Sequence, residues 1–339
     1  MGRFSGWLRP TPKPSGNLEA IKEPVKQTME GLTIMNLLAA LESIRTPFLD
    51  QLFLLISQLG GEIAFTAVIL IALWCVNKRA GFWMFFSWGC GTAASQIVKA
   101  ACKIPRPWVR DASLTPVEAA LDGEFAATDY SFPSGHTQSA LGLFGSLAVF
   151  AKRKWVTICS VILVLLTGFS RLYLGVHTLT DIAGAICIGL AVVFLMAWLS
   201  SLEAEKPWIS WVACGVLAAF SAGLVIYASL SDLSDPAIAE SAKHGWEMLG
   251  ASIGLAAAWQ LDRSLLHFET VAVWYIQIAK FAVGLIFALL IWRGLKQPLL
   301  NLFAGHHIAD GIRYLMLAVY AGFLYPLTFR FWSKLGRKK

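Results

Sequence analysis

An all-α, polytopic helical membrane bundle is the fold class that this 339-residue sequence predicts, and three observations carry the prediction. Hydrophobic residues make up 57% of the chain and charged residues only 14%, whereas soluble domains carry about 25% charged residues. Apolar stretches of roughly 20 residues recur, the length of helix needed to cross a hydrocarbon core. The short alternating segments of a β-barrel do not appear.

The elements follow in order. Residues 1–35 are a polar, Pro-interrupted lead-in without the apolar core of a secretory signal, and Met35 offers an alternative start. Residues 36–60 (NLLAALESIRTPFLDQLFLLISQLG) are apolar but broken by Glu42, Arg45, Pro47 and Asp50. That pattern predicts an amphipathic helix lying in the interface rather than a clean span. A core bundle over 61–201 then holds about five spans, near 61–76, 81–102, 133–151, 155–170 and 181–201. About four more, near 208–230, 247–261, 271–293 and 312–332, form a C-terminal transmembrane extension over 202–339. The loop 103–132 is of a length expected to be either functional or disordered. No internal repeat is visible.

Lys and Arg collect after the first and third spans, as Lys78-Arg79 and Lys152-Arg153-Lys154, and again at Lys206, Arg263, Lys334, Arg337, Lys338 and Lys339. The positive-inside rule makes that side cytoplasmic. The 103–132 loop, with Asp111, Glu118, Asp122, Glu124 and Asp129, and the segment 171–180 then face the opposite side. The formal charge of +7 is therefore a topology signal, and no basic cluster with interleaved aromatics supports nucleic-acid binding. Cys75, Cys90, Cys102, Cys159, Cys187 and Cys214 lie in or beside apolar spans and read as small hydrophobes, with no C-x-x-C pair for metal or redox chemistry.

Three polar islands interrupt the spans on the outer side. In KAACKIPRP, Lys99 sits in the last turn of the second span, and Pro105 and Pro107 force the chain out of helix, so Lys99 and Arg106 can converge. In PSGH, Pro133 and Ser134 start the third span, so its first free N–H groups point outward, and a helix N-terminus with Ser134 and Gly135, followed by His136, is an anion cradle. In SRLYLGVHTLTD, Ser170 and Arg171 end the fourth span, and His177 and Asp181 stand four apart, close enough on a helix for the carboxylate to hold an imidazole nitrogen. Three permanent cations, a helix N-terminus and two histidines suit phosphoryl transfer without a metal. Cations neutralise the non-bridging oxygens, one imidazole attacks phosphorus and the other protonates the leaving oxygen. No paired carboxylates for glycoside cleavage, no Walker loop and no metal-ligand spacing compete with this reading.

Lys, six residues, Arg-Pro, then Pro-Ser-Gly-His, then Ser-Arg with five residues before His and three before Asp: this pattern resembles the type 2 phosphatidic acid phosphatase superfamily, with all three blocks intact over roughly residues 60–200. The resemblance implies that His177 is the phosphorylated nucleophile, Asp181 orients it and His136 is the general acid. It assigns Lys99, Arg106, Ser134, Gly135, Ser170 and Arg171 to the phosphate and implies no metal or other cofactor. LESIRTPFLDQLFLLISQLGGE and the spans after residue 207 look like a bacterial branch, whose longer architecture is similar to sphingosine-phosphate phosphatases. The expected protein is thus a multi-pass phosphatase of a bacterial plasma membrane, with its site on the non-cytoplasmic side. It would draw a lipid phosphate or diphosphate sideways from the bilayer: a polyprenyl (undecaprenyl) diphosphate, a phosphatidic-acid-like lipid or a sphingoid-base phosphate. A homodimer is left to test.

Two rival readings use the same scaffold: a non-enzymatic lipid transporter or scramblase, which loss of a motif residue would favour, and a vanadium-dependent haloperoxidase, whose known members are soluble. Outside the motifs, His306, His307 and Asp310 are expected to be structural or at a dimer contact, with His306 and Asp310 repeating the spacing of His177 and Asp181. Lys280, within a span, is expected to make a polar contact between helices, and Glu62 to be a plain interfacial carboxylate.

Overall fold

The computed structural model describes residues 29–121, 130–231 and 235–335, and every regular element among them is a helix. Most of the polar lead-in, the acidic residues Asp122, Glu124 and Asp129, and the basic tail from Gly336 lie outside the described residues.

The segment read as a single interfacial helix is two. Helix α1 (Met29–Ser43) gives way to α2 (Pro47–Ser57), which starts because Pro47 fits the first helical position and Thr46 Oγ1 accepts the Leu49 N–H at 3.3 Å. After a tight turn over Gln58–Gly60, α3 (Glu62–Ile71) leaves at 49° to α2. Helix α4 (Lys78–Cys102) is capped by Asn77, runs for 25 residues and ends with Lys103 at φ 49° before the two prolines. The short α5 (Pro107–Arg110) follows. The expected third span begins at Gly135 rather than 133: α6 (Gly135–Ala140) and α7 (Ser146–Ala151) are joined by a wider helical turn over Leu141–Gly145. Helices α8 (Lys154–Tyr173) and α9 (Leu179–Glu203) complete the core. The extension comprises α10 (Ile209–Ser229), α11 (Pro236–Leu261), α12 (Trp274–Gly294), α13 (Lys296–Leu302), α14 (Ile308–Val319) and α15 (Phe329–Lys334).

Among the described residues, five helical stretches are by length and composition apolar enough to cross a membrane, or six if the bent pair α2–α3 counts as one, against the nine spans expected. The difference is clearest at α4, which lies inside the bundle against α6, α9, α10 and α11 and so has little need of lipid-facing apolar surface. Its Phe82, Trp83, Met84 and Phe86 are all about 1% exposed. Trp74, Phe82, Trp83, Phe86, Leu217, Trp259 and Tyr325 share one hydrophobic cluster, so core and extension pack as a continuous interior.

One end of the bundle is tied by ion pairs. Lys78 meets Asp262 at 2.6 Å, and Arg79 and Arg263 both reach Glu203, at 2.9 and 3.2 Å. Lys99 lies at the far end of α4, about 32 Å along the helix from Lys78. Lys280 is buried in α12, where Nζ donates to the Thr270 carbonyl at 3.0 Å and sits 4.3 Å above the Phe329 ring of α15.

Candidate active site

Backbone hydrogen bonds bring the three polar islands together at the Lys99 end. The Ser131 N–H donates to the Ile104 carbonyl at 2.7 Å, joining the first island to the second. The Ser134 N–H donates to the Asp181 carbonyl at 3.1 Å, joining the second to the third. Proline makes the first link available: Pro105 and Pro107 end the helix and leave Ile104 and Arg106 extended. Ser134 caps α6, with its Oγ 2.9 Å from Thr137 Oγ1, and the space where a Gly135 Cβ would point is empty to 4 Å.

His177 lies in the turn between α8 and α9 and is buried. Arg106 Nη1 approaches its Nε2 at 2.9 Å and its Nδ1 at 3.5 Å, and also donates to the Val176 carbonyl at 3.0 Å. A guanidinium can only donate, so the Nε2 beside it presents a lone pair and the ring proton is assigned to Nδ1. Nδ1 faces Asp181 Oδ2 at 3.6 Å. The same oxygen accepts from Ser131 Oγ at 2.6 Å and from the Thr178 N–H at 2.7 Å, the second bond closing a capping box at the start of α9. Asp181 therefore starts a helix and faces the imidazole with one carboxylate. Burial foremost, and then the Arg106 guanidinium, hold His177 well below its ordinary range, so the ring is neutral near pH 7.

The remaining predicted residues surround this pair. Lys99 and Arg171 are buried, and Arg171 Nη1 donates to Ser57 Oγ at 2.8 Å. Half-buried His136 lies within electrostatic reach of Arg171, His177, Arg106 and Lys99. The Arg106 guanidinium sits 5.9 Å from the Trp108 ring. Ser170 is buried and its hydroxyl donates to the Thr167 carbonyl of its own helix at 2.7 Å, so here it serves the backbone. Among the described residues, no group of three or more His, Cys, Asp or Glu side chains is placed to hold a metal ion.

Sequence reading missed the supports. Ser57 holds Arg171, and Ser131 and Thr178 hold Asp181. Gly60 passes so close to His136 that a Cβ on it would lie 2.2 Å from the His136 carbonyl oxygen. The polar residues that interrupt 36–60 also face this end. Tyr173 donates its hydroxyl to Asp50 at 3.0 Å, Arg45 binds the carbonyls of Tyr173 and Thr115, and Glu42 accepts from the Thr115 N–H. Those interruptions were the available signal. Away from the site, Asp310 pairs with His307 at 3.5 Å and Arg313 at 2.7 Å rather than with His306, whose Nδ1 accepts the Ile308 N–H. Glu62 is held by Tyr314, at 2.8 Å.

A multi-helix bundle bearing this site belongs to an enzyme class, the membrane phosphatases that act on lipid phosphates, and comparison with known proteins agrees. The PAP2 superfamily profile matches residues 80–205, and that of the PAP2 superfamily phosphatase transmembrane extension matches residues 246–338. The chain belongs to the PAP2 superfamily. It is 28% identical over 166 residues to phosphatidylglycerophosphatase B of Bacillus subtilis (strain 168), covering 45% of this chain and 76% of that protein. It is also 28% identical over 158 residues to undecaprenyl-diphosphatase BcrC of the same organism, with the same two coverages. A probable sphingosine-1-phosphate phosphatase of Dictyostelium discoideum is 26% identical over 167 residues, which span only 39% of its length. The crystal structure of a transmembrane PAP2-type phosphatidylglycerolphosphate phosphatase from Bacillus subtilis superposes with a TM-score of 0.43 at 25% identity, covering 56% of this chain and 90% of that one.

Proposed function

We propose that this protein hydrolyses the terminal phosphate of a lipid phosphate or diphosphate through a phosphohistidine on His177, without a metal. The observation that carries the reading is the setting of His177, with Nδ1 toward Asp181 and Nε2 beside Arg106. Nε2 attacks phosphorus while Asp181 stabilises the ring as it becomes cationic. The bond from phosphorus to its bridging oxygen breaks, and His136, protonated against the surrounding cations when the anionic substrate is bound, gives its proton to that oxygen. Water then attacks the phosphorus of phospho-His177 and gives a proton back to His136, the P–N bond breaks with its electron pair returning to Nε2, and phosphate leaves. Lys99, Arg106 and Arg171, with the Ser134 hydroxyl and the Gly135 N–H at the start of α6, neutralise the equatorial oxygens through both steps. Ser170 completes that set when its hydroxyl turns from Thr167.

The substrate is a polyprenyl diphosphate, a phosphatidic-acid-like lipid or a sphingoid-base phosphate. The relatives' names span these chemistries, and their shared element is a phosphate on a long apolar chain. The site opens on the non-cytoplasmic side of a bacterial plasma membrane: the ion-paired end carries Lys78, Arg79 and Arg263, and positive loops stay inside. We assign 1–35 to a lead-in, 36–60 to an amphipathic entry segment, 61–201 to the phosphatase core and 202–339 to the extension, a division that the matched profile ranges support. Native mass measurement distinguishes a homodimer from a monomer.

Phosphate release by purified protein from a panel of these three lipid classes tests the function. Release from one class identifies the substrate, and no release from any refutes the reading. A 32P-labelled substrate tests the intermediate: an acid-labile, base-stable label on the protein that His177→Ala abolishes is the expected result.

A further inference from the structure

The turn between α2 and α3 touches three parts of the molecule within six residues. Ser57 binds the Arg171 guanidinium, the Gly60 backbone lies against the His136 carbonyl, and Glu62 accepts the Tyr314 hydroxyl at 2.8 Å. Tyr314 belongs to α14 of the extension, 252 positions away in sequence. Its helix is firmly seated. A Cβ on Gly250 of α11 would lie 1.8 Å from the Gly311 carbonyl oxygen, so α11 and α14 pack backbone to backbone. Beside Tyr314, Arg313 binds Asp310 at 2.7 Å, Glu247 of α11 at 3.7 Å and the Trp292 carbonyl of α12 at 3.1 Å. The extension thus presents one phenol on an anchored helix to the start of α3.

We propose that Glu62 and Tyr314 are positioning residues for the general acid. The extension holds the Gly60 turn against α6 through this hydrogen bond, and the turn sets where the His136 ring stands. The geometry leaves little slack: with no side chain at Gly60 the two backbones are in contact, so movement of the α3 start is passed to His136. The hydroxyl-to-carboxylate bond is charge-assisted, of the stronger kind. The inference rests on the assignment of His136 as general acid and goes beyond it by giving the extension a part in catalysis.

The test exploits leaving-group chemistry. An alkyl oxygen on a lipid phosphate needs a proton as it departs, whereas the p-nitrophenolate of p-nitrophenyl phosphate leaves without one. The measurement is kcat/KM, which covers steps only up to the departure of that group. Tyr314→Phe is expected to lower kcat/KM for a lipid monophosphate on the order of 10-fold, a fraction of what general-acid catalysis supplies, and to leave that for p-nitrophenyl phosphate within about 2-fold. Glu62→Gln, which still accepts the hydroxyl but without the charge, loses less on the lipid monophosphate than Tyr314→Phe does, and Glu62→Ala behaves like Tyr314→Phe. Equal losses on both substrates, or no loss on either, overturn the proposal. A loss in Glu62→Gln as large as in Glu62→Ala overturns it too. His177→Ala in the same assay separates the two failures: full activity there refutes the catalytic reading, while an inactive His177→Ala beside an unselective Tyr314→Phe refutes only the bracing role.

Discussion

The molecule buries two clusters of charge, and they are built differently. In the extension, buried Arg313 is bonded to Asp310 and close to Glu247, which also meets half-buried His244 at 3.1 Å. In the core, Arg106 Nη1 binds a carbonyl and an imidazole, and Arg171 Nη1 a serine hydroxyl. Carboxylates tie the guanidinium of the first cluster to its own and a neighbouring helix and hold those helices together. In the second, hydrogen bonds set the direction of two guanidinium groups near the His177 ring, where the phosphate is proposed to bind.

The sharpest way to break this comparison is to remove the group that the core cluster serves. His177→Ala is expected to lower turnover at least about 10⁴-fold, as loss of a covalent nucleophile does. The variant should still fold, because the Asp181 capping box and the Ser131 bond do not depend on the imidazole. Unfolding followed in detergent, beside phosphate release, checks both halves.

Next come the two arginines, one from each cluster. Arg106→Gln should cost about 10²- to 10³-fold in turnover, the scale of losing a preorganised transition-state donor, with a modest change in unfolding. Arg313→Leu leaves Asp310 and Glu247 buried without their guanidinium and should cost about 3–5 kcal/mol of stability, with a smaller change in turnover per folded molecule. Equal destabilisation by both substitutions would erase the distinction between the clusters.

Arg106 also sharpens the comparison through pH. The nucleophile must be neutral, and burial together with the Arg106 charge lowers the pKa of His177. Activity limited by His177 is therefore kept as pH falls through about 6.5, the ordinary histidine value, and is lost only at lower pH. Taking away the cation removes one of the lowering effects, so the acid limb of kcat/KM should move to higher pH in Arg106→Gln. A limb that stays in place or moves lower would show that Arg106 does not act on this ring.

The three blocks proposed to surround phosphate could be picked out in sequence because each is short and carries its own geometry. Proline ends a helix and serine starts one, and His177, which precedes the helix cap rather than standing on the helix, still lies within reach of Asp181 in its first turn. Long-range supports have no such local signature. Ser57 lies 114 positions from Arg171, and Ser131 lies 50 from Asp181, so only the folded chain pairs them. His306 shows the converse error: spacing offered Asp310 as its partner, but the His307 ring is the one that reaches it. Hydropathy separates the helices for a related reason. Helix α4 runs from the ion-paired end to the site but packs among its neighbours, so its apolar residues face protein and it is less apolar overall than a lipid-facing helix.

The smallest expected effect falls on Ser57. Its hydroxyl accepts from Arg171 Nη1 at 2.8 Å in a buried setting, and α2 carries it there from the segment whose polar interruptions looked merely interfacial. Ser57→Ala removes one acceptor and leaves the guanidinium its charge. The loss is therefore that of aim rather than field, about 1 kcal/mol or roughly 5-fold in kcat/KM. Because Arg171 is proposed to hold the phosphate and not the leaving group, the loss should be equal for a lipid monophosphate and for p-nitrophenyl phosphate. Tyr314→Phe is expected to discriminate between the same two substrates, so paired measurements separate the two ends of one six-residue turn. If Ser57→Ala also discriminates, the turn acts on His136 as a whole, and the separate tie between Ser57 and Arg171 has no catalytic meaning.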